Sequence, residues 1–192
     1  SEPDNGGDHS GGGGPDVYLD EAFSTYLYKG RSGPFRIRNG VDLYGEVGLV
    51  WIKCRGQSWP HQLVDTERGQ SKYLSSDSAS EEITDATDRV TYFNNDGFSV
   101  GRNNYVNKLD EDYASWTFRK APSFFDVVTY EGSGQSIHEI PHSLGVEPGM
   151  VIVKNTTRAA NWFVWHKDVV RGDGPYAFLN ESNPFMTGGT GV

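Results

Sequence analysis

Residues 89–101, Arg89-Val90-Thr91-Tyr92-Phe93-Asn94-Asn95-Asp96-Gly97-Phe98-Ser99-Val100-Gly101, decide the fold class. Two runs of β-branched and aromatic residues flank Asn94-Asn95-Asp96, whose short polar side chains favour a tight turn. Gly97 supplies backbone angles that other residues resist. The stretch predicts a hairpin with strands at 89–93 and 97–101. Working outward, similar runs punctuated by Gly, Asn, Asp, Ser or Pro predict strands at 23–29, 47–54, 113–119, 124–131, 149–155, 161–166 and 176–180. No window carries a helical stripe; the best candidate, 78–88, is rich in Thr and Asp and predicts a turn or loop. The chain reads as all-β, with a β-sandwich-like domain.

Composition points the same way and narrows the function classes. Aromatic residues make up 13% and Gly numbers 24, a mixture suited to pleated surfaces and tight turns. The net charge is -9 and, apart from the adjacent Arg119-Lys120, Lys and Arg are scattered singly, so the surface repels phosphate backbones and nucleic acid is not an expected partner. The sole cysteine, Cys54, ends the apolar run from Leu49 and is expected to be a buried small hydrophobe. No run approaches the roughly 18 apolar residues of a membrane span, so membrane insertion is not expected. Ser1-Glu2-Pro3-Asp4 lacks the basic and then apolar start of a secretory leader. Residues 1–16, without a large apolar side chain, are expected to form a flexible Gly-rich tail.

The chain also resembles itself. Phe23, Tyr28 and Gly30 recur as Phe125, Tyr130 and Gly132, an offset of 102. The run Gly48–Lys53 recurs as Gly149–Lys154, an offset of 101. Trp59, Asp65, Arg68 and Gly69 recur as Trp162, Asp168, Arg171 and Gly172, an offset of 103. Two tandem repeat units are expected, 17–121 and 122–192, meeting near Lys120-Ala121-Pro122. The second unit lacks a counterpart of 90–119, so its sheet should have an open edge and an uncovered apolar face. Further polypeptide or another chain would complete it.

The duplicated Asp65/Arg68 and Asp168/Arg171 pairs read as structural staples, each pinning a loop that a glycine ends. Lys53 and Lys154 close apolar strands, their stems covering the core and their heads reaching water. Trp59, His61, Trp162 and Trp165 lie beside polar or Pro-containing loops and are the candidates for stacking on a glycan; Trp51 and Trp116, inside alternating strands, belong to the core. His138 and His142 have helical ligand spacing, but Pro141 intervenes, so no metal and no cofactor are expected. The chain carries no nucleophile elbow, phosphate-binding loop, dinucleotide fingerprint or zinc-protease motif. Its acidic pairs sit in polar runs that would not raise a pKa, so no catalytic residue and no enzyme activity are expected.

Several stretches together resemble a repeat domain found in virion structural and tail-fibre-like proteins of marine tailed phages, notably those infecting cyanobacteria. They are Phe23–Gly30, Asn39–Leu43, Gly48–Lys53, Asp65–Gly69, Lys72–Leu74, Asp96–Phe98, Tyr113–Lys120 and Ile140–Gly145. The resemblance implies a virion protein made in the host cytoplasm, a tail fibre or appendage component acting in assembly and host attachment. Its implied partners are other virion proteins and further copies of itself, a trimer being usual for phage fibres. A carbohydrate-binding module recognising a host surface glycan, and a capsid decoration protein, are the alternatives.

Overall fold

The computed structural model describes residues 17–85, 88–169 and 175–186. The expected tail at 1–16 and the staple residue Arg171 lie outside the described residues. In chain order the elements are α1 (Leu19–Ala22), β1 (Phe23–Lys29), β2 (Phe35–Arg38), β3 (Gly48–Cys54), β4 (Gln62–Asp65), β5 (Lys72–Tyr73), β6 (Ile83–Thr84), β7 (Val90–Asn94) and β8 (Gly97–Val100). There follow α2 (Asn104–Asn107), β9 (Asp112–Arg119), β10 (Met150–Val153), β11 (Phe163–His166) and β12 (Ala177–Phe178). Both helices are four residues long, and the fold is all-β.

Two antiparallel sheets, ordered β1-β9-β3-β4 and β2-β8-β7, pack over one core. Strand β3 shows why: its side chains alternate, with Val50, Ile52 and Cys54 buried and Leu49, Trp51 and Lys53 half-buried on the other face. The inward set meets Tyr28, Tyr113 and Val64 of its own sheet and Ile37, Val90, Phe98 and Val100 of the opposing one. Tyr28 and Tyr113 stack at 5.1 Å and give their hydroxyl protons to the carbonyls of Val106 and Asn104. Burial pushes both phenols well above their ordinary pKa. Cys54 lies in this core, 1% exposed.

The hairpin of residues 89–101 forms as β7 and β8, with Asn94 opposite Gly97 and Asn95-Asp96 as the turn. Gly97 has φ +142, and a Cβ there would collide with the Ile37 carbonyl oxygen. Arg36 and Arg38 of β2 both grip Asp96. A bulge lies between Val90 and Tyr92. It shifts the alternation, so that Val90 and Phe93 both face the core while Tyr92 turns outward.

Residues 124–131 do not form the expected strand. Phe124 and Phe125 instead fold back on Phe118, and Phe125 makes only an isolated bridge to Ala121. The counterpart β1 pairs along its whole length with β9. Residues 126–131 have no such partner among the described residues, and a lone extended segment leaves its backbone groups to water. The short strands β2, β4, β5 and β6 were not expected from sequence.

Strands β10, β11 and β12 form a separate three-stranded sheet. Its hairpin has the same register as β3–β4: Ile52 faces Gln62 and Val153 faces Phe163, ten residues along the chain in each case. Two further bonds recur at an offset of 101. The N–H of Thr66 donates to Gly48 O and that of Lys167 to Gly149 O, both at 3.0 Å. The ammonium groups of Lys53 and Lys154 donate to the carbonyls of Cys54 and Asn155, both at 2.6 Å. The lysine heads therefore bind hairpin-loop carbonyls instead of reaching freely into water. Burial lowers the Lys154 pKa, against an opposing pull from Glu81.

One difference separates the hairpins. Val50, Ile52 and Val64 are at most 1% exposed, whereas the residues in their places, Val151, Val153 and Trp165, are only half-buried, and neighbouring Phe163 is 38% exposed. In 17–121 a second sheet covers this face; in the other half no described strand does.

Candidate functional site

The four glycan-stacking candidates do not gather on one surface. Trp162 is 6% exposed and packs on Leu63 and Leu74, with Leu49 and Trp51 at the margin. Its indole N–H is shared between the carbonyls of Ser75 at 2.9 Å and Ser78 at 3.1 Å. Backbone bonds on either side, Ala160 N–H to Ala79 O and Glu82 N–H to Thr156 O, seal the junction between the halves. Trp162 is thus a junction anchor with no face left for a sugar ring, which corrects the expectation from its neighbouring polar loop.

Trp165 lies on the half-covered face of the second sheet, opposite Val151. Trp59 packs against the sandwich core with Tyr105 edge-on at 5.7 Å and the Lys108 ammonium over its ring at 5.3 Å. His61 accepts the Trp51 indole N–H at Nδ1, 2.8 Å away, and its main-chain N–H donates to Asp77. Burial lowers the His61 pKa; Asp77 opposes that shift and Lys53 reinforces it. The neutral ring with an unprotonated Nδ1 is the form this geometry requires. Trp51 and Trp116 meet edge-on, 6.1 Å apart, on the outer face of the four-stranded sheet and not within the sandwich core.

Asp65 and Arg68 are joined at 2.6 Å with side chains 5% and 8% exposed. Asp65 also accepts the Arg68 main-chain N–H, and the guanidinium continues to Glu82 and the Leu63 carbonyl. The pair closes the turn after β4 and ties it to the loop on which Trp162 sits. Asp168 is placed differently. By register His166 holds the position of Asp65, and Asp168 lies exposed beyond the strand end. The sequence match at an offset of 103 aligned residues that the backbone register, at 101, does not. Arg89 is another buried cation, 3.4 Å over the Tyr73 ring and 4.9 Å from that of Tyr105, bonded to Gln62 and Asp85.

Sequence reasoning missed the most exposed aromatic pair lining a groove. Tyr44 and Tyr92 are 64% and 50% exposed, with near-parallel rings 26° apart and centroids at 6.4 Å. They border a groove of about 380 Å³ that Leu43, Phe93, Glu46, Thr66, Glu67 and Gln70 also line. The backbone that carries Tyr44 is anchored on both sides. Val41 and Leu43 before it are buried, its N–H donates to Asp42 at 2.9 Å, and Leu43 N–H donates to Asn94 O. Gly45, with φ +75, turns the chain directly after it. Tyr92 is turned outward by the β7 bulge. A second depression shares Val47 and Glu67 with this groove and runs to Lys120, Asp126 and Pro141–Ser143. Glu46 pairs with Arg119 at 3.0 Å.

Among the described residues no group of three or more His, Cys, Asp or Glu side chains lies close enough to hold a metal ion, and no helix is long and apolar enough to cross a membrane. No curated protein and no solved structure matches the chain. The family model described as Domain of unknown function (DUF7483) matches residues 20–191, and the chain belongs to that family.

Proposed function

We propose that the chain is a structural component of a tailed-phage particle, part of a tail fibre or similar appendage, acting in assembly and host attachment and built from tandem β units at 17–121 and 122–192. The virion setting comes from the sequence resemblance. The modular architecture is supported by one observation above the rest: β3–β4 and β10–β11 share loop length, register and flanking hydrogen bonds, and the second hairpin seats Trp162 on the first unit. A compact unit docked on its neighbour in this way gives reach and stiffness along a fibre.

The half-covered face of Val151, Val153, Phe163 and Trp165 supports assembly. In the first unit the same face is the sandwich core, so a further β-layer, from a neighbouring virion protein or another copy in a trimer, is the cover it fits. The acidic composition is consistent with contacts to protein rather than nucleic acid.

Immunogold labelling of purified particles with antibodies to this chain tests the reading. Label confined to the tail or its appendages supports it. Label spread over the shell replaces it with the capsid decoration reading, and unlabelled particles overturn both.

A further inference from the structure

We propose that the groove flanked by Tyr44 and Tyr92 is a binding site for a neutral saccharide. The inference deepens the host-attachment part of the proposed function, on which it rests for the source of the sugar but not for the chemistry of the site.

Three features carry it. The first is the pair of half-exposed, near-parallel phenol rings beside an open groove. Aromatic faces exposed to water gain from covering the apolar C–H face of a pyranose, and the phenol hydroxyls add hydrogen bonds at the rim. The second is preorganisation. A loop buried at Val41 and Leu43 and turned at Gly45 presents one ring, and a strand bulge presents the other. The backbone carrying each ring is already in place when ligand arrives, which reduces the entropic cost of binding. Sequence alternation alone would have turned Tyr92 inward, and bulges are the usual device for re-aiming a side chain at a site.

The third is the polar part of the lining. Thr66, Glu67 and Gln70 offer a hydroxyl, a carboxylate and an amide, groups that accept from and donate to sugar hydroxyls. Glu46 is paired with Arg119, but the Glu67 carboxylate in the lining selects against ligands bearing phosphate, sulfate or carboxylate, so the class is neutral hexose or N-acetylhexosamine glycans. A quaternary ammonium ligand fits less well, since such cations are enclosed by cages of several rings. The volume of about 380 Å³ falls among small-ligand pockets, and the adjoining depression at Val47 and Glu67 gives a longer glycan a continuing path.

The test is binding of the whole chain to immobilised neutral oligosaccharides of hexose and N-acetylhexosamine, beside sialylated and sulfated counterparts, at 0.15 and 0.5 M NaCl. The expected result is saturable binding to at least one neutral glycan, insensitive to salt and weakened at least tenfold in Tyr44→Ala and in Tyr92→Ala. Both side chains are largely outside the core, so both variants should melt at the wild-type temperature; Tyr92→Phe, which keeps the ring, should bind within about threefold of wild type. Absence of saturable binding to every neutral glycan overturns the proposal. So do binding confined to acidic glycans, binding that survives the double Tyr44→Ala/Tyr92→Ala variant, and displacement by choline. None of these outcomes alters where particles label with antibody, so failure of this site and failure of the appendage reading are separable.

Discussion

At the scale of single residues, the bond from Trp51 Nε1 to His61 Nδ1 makes the outer face of the four-stranded sheet sensitive to acid. The folded His61 has a pKa below its ordinary value of 6.5, chiefly through burial. As pH falls through 6.5 the unfolded chain therefore takes up this proton before the folded one does, and stability declines until the folded pKa is passed. The melting temperature should begin to drop as pH falls below about 6.5, before most carboxylates titrate. In His61→Phe that slope should disappear, while stability at pH 7.5 falls by about 0.5–1.5 kcal/mol through loss of the Trp51 acceptor. A flat wild-type profile over this window would show that His61 does not titrate with folding. Residue roles were legible where the partner is near in sequence. Asp65 and Arg68, three apart, do form a buried pair. Trp162 was not legible, because its partners Ser75 and Ser78 are more than eighty residues away.

At the scale of elements, the β7–β8 hairpin shows local sequence and tertiary contact acting together. The turn dipeptide Asn95-Asp96 and Gly97 favour the hairpin, and Arg36 and Arg38 then clamp it from β2. Gly97→Ala meets two penalties, a positive φ and a collision with the Ile37 carbonyl oxygen. It should cost at least about 1–3 kcal/mol. Chemical denaturation would read this as a lower midpoint at unchanged slope, and a neutral result would mean that β2 and β8 separate without loss. Residues 124–131 teach the converse. Their composition is as strand-like as that of β1, but a strand is a property of a pair, and the pairing that β9 gives to β1 has no equivalent there among the described residues. The β7 bulge was equally hidden, since nothing in Val90-Thr91-Tyr92 marks where alternation will slip by one.

At the scale of the molecule, the second sheet docks on the first unit through contacts centred on one indole, while Phe124 and Phe125 pack separately on Phe118 near the seam. Trp162→Ala should remove about 3–5 kcal/mol from the docking of the second sheet, by the usual cost of emptying a buried tryptophan site. Hydrogen exchange should then accelerate at the Glu82 and Ala160 amides, which bond across the junction, with core amides of β3 and β9 little changed. Unchanged exchange at Glu82 and Ala160 would mean that Trp162 is not what docks the second sheet.

The β class, the principal hairpin, most strand positions and the self-similarity were all readable along the chain. These rest on alternation, turn chemistry and composition, which act over a few neighbouring residues. Three outcomes emerged with folding alone: which aromatics are buried, that the β10–β11 register follows loop length and not the Asp168 match, and that Tyr44 and Tyr92 stand together beside one groove. Those outcomes depend on which distant surfaces come into contact, and a side chain's exposure is settled by neighbours that its own stretch of chain does not contain.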